Sequence, residues 1–340
     1  MWISLGHVQS RTQPFGEGIQ ELKGENQLVR DMKTILCVDT GVDDALAICY
    51  ALSQEQLDLI GICASYGMAT VPQTYSNTKH IVESMGKSLP VYMGSEQPLQ
   101  RKREYSGTFH GMDGLGNQNL PDASAGAQPE ESIDFIIDCI QRYGKQLQII
   151  TTGPMTDMAK VLQRFPQAAQ QVGSVVSMAG AAITPGNSGL YAEANVIVDP
   201  EAAKICCEAG MNLTMVGLDV TRKTLLTRKE LEVWQGYGTP AATILSRAVD
   251  FYLEAYRVHH PYLAGCALHD PLAVGVALDP TLVTTIPMNM TVIVDGEATG
   301  DTVENLDKIA DPPTTHLALT VDAGRFMDDF YSHVNAALQA

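Results

Sequence analysis

The sequence lacks the features that would place this chain in or on a membrane. It has no apolar run approaching the roughly 18–20 residues that span a bilayer, and its first residues lack the basic and apolar stretches of a signal peptide. Basic residues are also scarce, since 22 Lys and Arg stand against 39 Asp and Glu, for a formal net charge of −17. Because such a charge repels phosphate backbones and anionic lipid, nucleic acid and membrane surfaces are not expected as partners. A cytoplasmic protein that takes a small neutral molecule or a cation fits better.

A disulfide framework is also not expected. The cysteines are odd in number, and no two of them have the Cys-x-x-Cys spacing of a redox or zinc motif. Most lie inside apolar runs, which favours buried free thiols in a reducing compartment. They are Cys37, Cys49, Cys63, Cys139, Cys206, Cys207 and Cys266.

After these exclusions the chain has an ordinary globular composition, with 340 residues of which 45% are hydrophobic. Short apolar runs alternate with helical patterns from residue 34 onward. Strands that alternate with helices predict an α/β fold, with a mainly parallel central sheet flanked by helices in a Rossmann-like core. The strand candidates are residues 34–38, 59–64, 146–150, 173–178 and 213–218, with further strands in 288–294 and 316–321 before a last helix.

The domain organisation follows from where this pattern begins. Residues 1–31 are polar and aperiodic, and we expect a poorly ordered N-terminal extension there. Residues 32–340 contain no linker and no repeat, so we expect a single domain. Within it, residues 94–128 form a polar stretch rich in Gly, Pro and Asn, and a loop of that length in a compact domain is usually functional or disordered.

An acidic cluster follows the first predicted strand, in the order Asp39-Thr40-Gly41-Val42-Asp43-Asp44. Ligand sites of open parallel sheets lie outside the carboxyl ends of the strands. Three carboxylates in so short a loop repel one another, and a hard divalent cation such as Ca²⁺ or Mg²⁺ relieves that repulsion. Alternatively, Asp43 and Asp44 only complement the helix N-terminus, which leaves Asp39 unexplained.

A second pair of polar residues, His269-Asp270, precedes Pro271 and an apolar run. Because Pro is favoured at the first helical position, this pattern predicts that Asp270 caps the helix and that His269 is a surface histidine. If both clusters lie at the same edge of the sheet, Asp270 can instead share the cation. His269 would then border the pocket and could give a proton to a leaving group.

Four segments in this order resemble the inosine-uridine-preferring nucleoside hydrolases. They are DTGVDDALAI (39–48), TTGPMTDMA (151–159), AEANVIVDPEAA (192–203) and LHDPLAV (268–274). GLDVT at 217–221 and the loop that begins His110-Gly111 agree as well. The resemblance covers residues 33–335. It implies a nucleoside hydrolase fold and a Ca²⁺-dependent enzyme that hydrolyses the N-glycosidic bond of ribonucleosides to ribose and free base.

The resemblance also implies roles for residues present in this sequence. Ca²⁺ would be bound by the carboxylates of Asp39, Asp44 and Asp270 and by the backbone carbonyl of Thr152. Asp39 would also be the general base, and His269 the acid for the leaving base. The ribose would be held by Asp43, Asn187, Glu193 and Asn195, and His110 would lie on a mobile loop over the pocket. Tyr252 and Tyr256 would either stack on the base or only pack their helix.

The sequence departs from the family's pattern in three places. Cys37 and Thr40 replace an Asp and a Pro of the first motif, and Met68 stands where an Asn usually follows Gly67. These departures keep open a nucleoside-binding pseudoenzyme or a re-specialised N-ribohydrolase. A phosphate-ester hydrolase at an acidic Mg²⁺ site is a third hypothesis, but no Lys or Arg lies within ten residues after Asp39.

Two further expectations concern the substrate base and the assembly. Purine selection in this family often uses aromatic stacking, and neither Trp2 nor Trp234 lies in a motif. A pyrimidine or mixed preference is therefore slightly favoured. The resemblance also implies a homo-oligomer, either a dimer or a tetramer.

Overall fold

An eight-stranded sheet forms the centre of the molecule, in the computed structural model that describes residues 32–340. The predicted extension at 1–31 lies outside the described residues. The strand order is β3-β2-β1-β4-β5-β6-β12-β9, and all neighbours are parallel except the pair β12 and β9. The strands are β1 (Lys33–Val38), β2 (Asp58–Ala64), β3 (Val91–Met93), β4 (Leu147–Thr151), β5 (Ser174–Ser177), β6 (Leu213–Met215), β9 (Val283–Met288) and β12 (Thr315–Val321).

Two short antiparallel pairs lie outside this sheet: β7 (Leu225–Leu226) with β8 (Cys266–Ala267), and β10 (Met290–Val292) with β11 (Thr302–Glu304). The helices are α1 (Val42–Ser53), α2 (Val71–Ser84), α3 (Glu131–Tyr143), α4 (Thr156–Arg164), α5 (Ala168–Gln171), α6 (Ala194–Val198), α7 (Pro200–Glu208), α8 (Leu218–Thr221), α9 (Arg228–Gln235), α10 (Pro240–His259), α11 (His269–Leu278) and α12 (Ala323–Gln339).

Each face of the sheet is covered by an apolar layer, because crossover helices between parallel strands must lie on the faces. On one face α1 packs among α10, α11 and α12, and residues 42–51 of α1 are buried on every side. On the other face α3, α4 and α7 contribute the apolar side chains. The predicted α/β class and mainly parallel sheet are confirmed.

Several boundaries differ from the sequence prediction. The strand expected at 213–218 ends at Met215, because the chain turns at Gly217 into the short helix α8. The segment 288–294 is divided between β9 and β10. All seven cysteines are buried free thiols, as expected. No helix within residues 32–340 is long and apolar enough to cross a bilayer.

The capping prediction for Asp270 is wrong. The helix α11 begins at His269 with Leu268 as its N-cap, so Pro271 occupies the third helical position. Asp270 therefore lies inside the first turn, and its carboxylate approaches those of Asp43 and Asp44 rather than capping its own helix. His269 is likewise buried rather than exposed at the surface.

Candidate active site

The site lies where the strand order reverses, which is the usual place for a ligand crevice in an open parallel sheet. From β1 the chain passes to β2 on one side, whereas β4 joins β1 on the other side. Asp39 directly follows β1 and Thr152 directly follows β4. The backbone N–H of Thr152 donates to the Cys37 carbonyl over 2.8 Å, which fixes the two strand ends against each other.

The Asp39 carboxylate lies between two glycines that leave room for it. A Cβ on Gly67 would be 1.8 Å from Asp39 Oδ2, and one on Gly153 would be 2.9 Å from Asp39 Cβ. Any side chain at Gly67 would therefore displace this carboxylate. The close approach of both backbones explains why glycine follows β2 and β4 at these two positions.

Three further carboxylates converge beside Asp39. One oxygen from each of Asp43, Asp44 and Asp270 lies within 4.8 Å of the others, and all three residues are buried. Asp44 Oδ2 also accepts from the Gly41 N–H over 2.9 Å, at the start of α1. Asp44 thus both caps the N-terminus of α1 and belongs to the cluster of carboxylates. Its other oxygen accepts from the Thr152 hydroxyl over 2.7 Å.

Burial and mutual repulsion disfavour the charged forms of these groups. Burial, followed by the charges of Asp44 and Asp43, raises the pKa of Asp39 well above its ordinary value. Burial also raises the pKa of Asp44, and burial followed by the charge of Asp44 raises that of Asp43 to about 7. The pKa of Asp270 is raised by burial and by the same neighbouring charges. A cation at the centre would reverse all four shifts.

The donor set fits a hard divalent cation. Asp39 Oδ2 is buried and, among residues 32–340, has no hydrogen-bond partner. A buried carboxylate oxygen without a partner is costly. Asp39 is not among the three carboxylates that approach within 4.8 Å of one another, but its backbone N–H donates to Asp44 Oδ1 over 3.4 Å. Oxygen ligands of this kind suit Ca²⁺ or Mg²⁺. The ligand set implied by the resemblance omits Asp43, which the structure brings equally close to Asp44 and Asp270.

The predicted sugar-binding residues occupy one side of the same cavity. Glu193 is the N-cap of α6 and accepts from the backbone N–H groups of Asn195 and Val196. Burial raises its pKa to about 7. The Asn195 side-chain amide donates to the Thr152 carbonyl over 2.7 Å, and Asn187 Oδ1 accepts from the Ala194 N–H over 2.9 Å.

The loop carrying His110 is folded over the cavity. His110 Nδ1 accepts from the backbone N–H of Val42 over 3.1 Å, at the first turn of α1. The Asp113 carboxylate holds the rest of the loop by accepting from the N–H groups of Leu115, Asn117 and Asn119. Burial lowers the pKa of His110 to about 4, so this ring is neutral at pH 7.

A chain of hydrogen bonds leads away from the carboxylates on the opposite side. The Tyr252 hydroxyl lies 3.5 Å from Asp43 Oδ2 and 3.5 Å from the Tyr256 hydroxyl. The Tyr256 hydroxyl lies 2.8 Å from His269 Nε2, and His269 Nδ1 lies 2.7 Å from the Thr221 hydroxyl. Burial lowers the pKa of His269 to about 3. The two tyrosines thus contact Asp43 and His269 at the cavity wall.

The cavity has a volume of about 280 Å³ and brings every sequence-predicted site residue to its wall. Sequence reasoning missed several other lining residues, most of them in the 94–128 loop, whose aperiodic composition marks a functional loop without indicating which residues matter. The missed residues include Met178, Ser188, His260, Phe109, Thr108 and Arg103. Arg103 is the single Lys or Arg on the cavity wall within the described range, and its Nε donates to the Gly67 carbonyl over 2.9 Å.

Comparison with known proteins identifies relatives of this chain. The sequence model of the family described as inosine-uridine preferring nucleoside hydrolase matches residues 34–328. A pyrimidine-specific ribonucleoside hydrolase, RihA of Citrobacter koseri, is 33% identical over 220 residues, which cover 64% of this chain and 70% of that protein.

Two solved structures are similar over almost their whole length. A purine-preferring ribonucleoside hydrolase from Gardnerella vaginalis is 40% identical, with a TM-score of 0.87 over 90% of this chain and 99% of that one. A plant nucleoside hydrolase is 29% identical, with a TM-score of 0.84 and the same coverage of both chains.

Proposed function

This chain belongs to the inosine-uridine preferring nucleoside hydrolase family and is an N-ribosyl hydrolase, and from that premise we propose that it hydrolyses ribonucleosides in a calcium-dependent reaction. The observation that carries the metal assignment is the convergence of Asp43, Asp44 and Asp270 beside the unpartnered oxygen of Asp39. We assign Asp39, Asp44, Asp270 and the Thr152 carbonyl as the ligands, and we assign Asp43, which lies at the same cluster, to a ribose hydroxyl. Bound Ca²⁺ supplies Lewis acidity and a fixed anchor for hydroxyl oxygens.

The reaction breaks the bond between C1′ of ribose and a nitrogen of the base. The oxygen of water bonds to C1′, and the electron pair of the broken bond leaves with the base. We assign Asp39 as the group that accepts the proton of that water, because this residue lines the cavity and its Oδ2 has no hydrogen-bond partner within residues 32–340. A buried base without competing hydrogen bonds is an effective proton acceptor once a neighbouring cation keeps it ionised.

The sugar is held by the residues on the Asn187 side of the cavity. Asp43 and Asn195 bind ribose hydroxyls, and Glu193 and Asn187 bind the 5′ end. Positive charge develops on C1′ and O4′ as the base departs. The carboxylates of Glu193 and Asp39 favour that charge, and they do so strongly because both residues are buried.

The departing base requires a proton, and we assign its delivery to the Tyr256 and His269 pair. His269 is neutral, since burial lowers the pKa of its imidazole to about 3. It therefore acts as a relay rather than as a stored imidazolium. Tyr256 gives its hydroxyl proton to the base and takes one from His269 Nε2, while His269 Nδ1 takes the Thr221 hydroxyl proton, so that the imidazole stays neutral. The proton that Asp39 accepted from water then returns through solvent to Thr221, which restores every group.

Base preference follows from what surrounds this end of the cavity. Phe109, Tyr252, Tyr256 and His260 provide aromatic rings there, and no tryptophan lines it among the residues described. The absence of tryptophan favours the pyrimidine side, whereas these four rings can also stack on a purine, and of the pyrimidine or mixed preference expected from the sequence we propose the mixed one. The relatives differ in this respect, because the name of the Citrobacter protein specifies pyrimidines and that of the Gardnerella protein purines. A dimeric or tetrameric assembly stays a prediction.

The test is ribose release from uridine, cytidine, inosine and adenosine, followed by a reducing-sugar assay with Ca²⁺ and with EGTA. We expect release that disappears with the chelator and in Asp39→Ala. Activity that persists in EGTA would refute the calcium assignment. No release from any nucleoside, by folded protein that binds calcium, would favour the nucleoside-binding alternative that Cys37 and Met68 suggest.

A further inference from the structure

The loop of residues 182–193, which folds back on itself and is called the hairpin below, contributes Asn187, Ser188 and, at its end, Glu193 to the wall of the cavity. Its own hydrogen bonds are few: the Gly186 N–H donates to the Leu190 carbonyl, and those of Asn187 and Ser188 donate to the Ala192 carbonyl. Apolar side chains at its surface do not anchor it, since Ile183 and Leu190 are 75% and 65% exposed. Its position must therefore depend on contacts from another element.

The short helix α8 and the residue after it supply those contacts. The Asp219 carboxylate accepts from the N–H groups of Ala182 and Ile183, over 3.0 and 2.8 Å. The Arg222 guanidinium then donates to three oxygens of successive residues in the hairpin. They are Thr184 Oγ1 at 3.2 Å, the Pro185 carbonyl at 2.7 Å and the Gly186 carbonyl at 2.8 Å.

Arginine suits this task for a physical reason. Its planar group presents several N–H donors in a fixed arrangement, whereas a lysine ammonium is a point charge on a flexible stem. Arg222 forms no ion pair with a carboxylate in the part of the chain that the structure describes, so its donors serve the hairpin alone. Hydrogen bonds from a charged group to carbonyls are stronger than neutral ones.

Asn187 is the residue that this clamp places. It directly follows Gly186, whose carbonyl Arg222 binds, and its Oδ1 is already engaged by the Ala194 N–H. We propose that Arg222, together with Asp219, is a positioning residue that holds the Asn187 hairpin against the 5′ end of the substrate. This inference rests on the proposed function, because it takes the bound sugar as the partner of Asn187.

The helical turn that holds Asp219 and Arg222 also contacts the base side of the cavity. Thr221, which immediately precedes Arg222, contacts His269 Nδ1. One turn therefore contacts both the sugar side and the base side of the site. Arg222→Met removes the sugar-side hydrogen bonds and also a positive charge that helps to lower the pKa of His269. Arg222→Lys keeps that charge but loses the fixed arrangement of donors, which allows the two effects to be separated by kinetics.

The test compares Arg222→Met, Arg222→Lys and the control Arg228→Met. Arg228 is an exposed residue on α9 that pairs with Asp250 outside the cavity. Arg228→Met therefore removes the same charge as Arg222→Met without touching the hairpin. The values of kcat and KM are measured for inosine and 5′-deoxyinosine, or for uridine and 5′-deoxyuridine if the wild type prefers it. Hydrogen exchange of peptides covering residues 182–192 is followed in parallel.

In Arg222→Met we expect KM for the full nucleoside to rise about tenfold with kcat nearly unchanged, as for loss of ground-state binding. KM for the 5′-deoxy substrate should change less than about twofold, because the contact that Asn187 makes is already missing. Exchange over 182–192 should accelerate by about tenfold or more. Arg222→Lys should recover part of each effect, and Arg228→Met should match the wild type.

Equal increases of KM for both substrates would overturn the proposal, because they would indicate a general structural defect. Wild-type KM and wild-type exchange in Arg222→Met would overturn it as well. If Arg222→Met does not fold, the same comparison is made with Arg222→Lys. If the wild type cleaves no nucleoside, the proposed function fails, whereas the exchange measurement still decides whether Arg222 holds the hairpin.

Discussion

The hydroxyl of Tyr256 lies 2.8 Å from Nε2 of His269, and this contact joins two residues that the chain separates by thirteen positions. Tyr256 lies on α10 and lines the cavity, and His269 begins α11. Through this contact Tyr256 can pass a proton from His269 to the leaving base. His269 could not supply that proton as an imidazolium, because its pKa is low.

Removing the Tyr256 hydroxyl should therefore slow the departure of poor leaving groups. In Tyr256→Phe we expect kcat for a natural nucleoside to fall by about 10²-fold, the usual contribution of general acid catalysis, with a small change in KM. The control substrate is p-nitrophenyl riboside, whose leaving group needs no proton. A similar loss of activity on this substrate would contradict the relay and indicate misplaced sugar instead.

Binding of calcium should stabilise the protein through the acidic cluster. At a free calcium concentration of 100 times Kd, the melting temperature should rise by about 4 °C for a chain of this length. Asp44→Asn and Asp270→Asn should abolish this rise, since each removes a carboxylate from the cluster. The exposed residue Asp58, which pairs with Lys33, provides the control Asp58→Asn. A calcium shift that persists in Asp270→Asn would exclude that residue as a ligand.

The pH dependence of stability should follow from the burial of Glu193. Burial raises its pKa from 4.5 to about 7, so the folded protein binds this proton more tightly than the unfolded chain does. The free energy of unfolding of metal-free protein should then decline as pH rises from 4.5 to 7, and the full loss should be present above pH 7.

The comparison of wild type with Glu193→Gln isolates this contribution. Between pH 5 and pH 8 in EGTA, the melting temperature of the wild type should fall further than that of Glu193→Gln, by about 1.5 °C for each kcal/mol that the ionisation of Glu193 costs. Asp43 titrates in the same direction and remains in both proteins, so some decline persists in the variant. If the melting temperatures of the two proteins change equally with pH, the ionisation of Glu193 does not destabilise the folded protein.

The parts of the fold that the sequence could predict are those governed by periodicity. Apolar runs of strand length mark β1, β2 and β4 because parallel strands are buried on both faces. The prediction that Asp270 caps its helix was wrong. The preference of proline for the first helical position concerns a helix by itself, whereas the position of this carboxylate is determined by its tertiary contact with Asp43 and Asp44.

Contacts within the long loop were beyond prediction for a related reason. Residues 94–128 have no periodicity, so nothing in the sequence indicates that Arg103 reaches the Gly67 carbonyl or that His110 meets the first turn of α1. The Tyr256 to His269 contact likewise depends on how α10 and α11 pack. The acidic cluster, by contrast, could be located because its members directly follow β1 and begin the next helix.

Met68 offers a direct test of a departure from the family's pattern. Its side chain lines the cavity beside Gly41, since a Cβ on Gly41 would be 2.9 Å from Met68 Cγ. A thioether is at best a weak acceptor and cannot donate to or pair well with a ribose hydroxyl. In Met68→Asn we expect kcat/KM for ribonucleosides to rise about tenfold, the gain typical of one well-placed hydrogen bond.

The measurement for Met68→Asn is steady-state kinetics on a ribonucleoside and on its 2′-deoxy and 3′-deoxy counterparts. The gain should vanish for the counterpart that lacks the contacted hydroxyl, because the new amide then has no partner on the sugar. The control is Met112→Asn, since Met112 is 61% exposed and does not line the cavity. An equal gain on all three substrates would mean that the substitution acts by reshaping the loop, and unchanged kinetics would mean that position 68 does not reach the sugar.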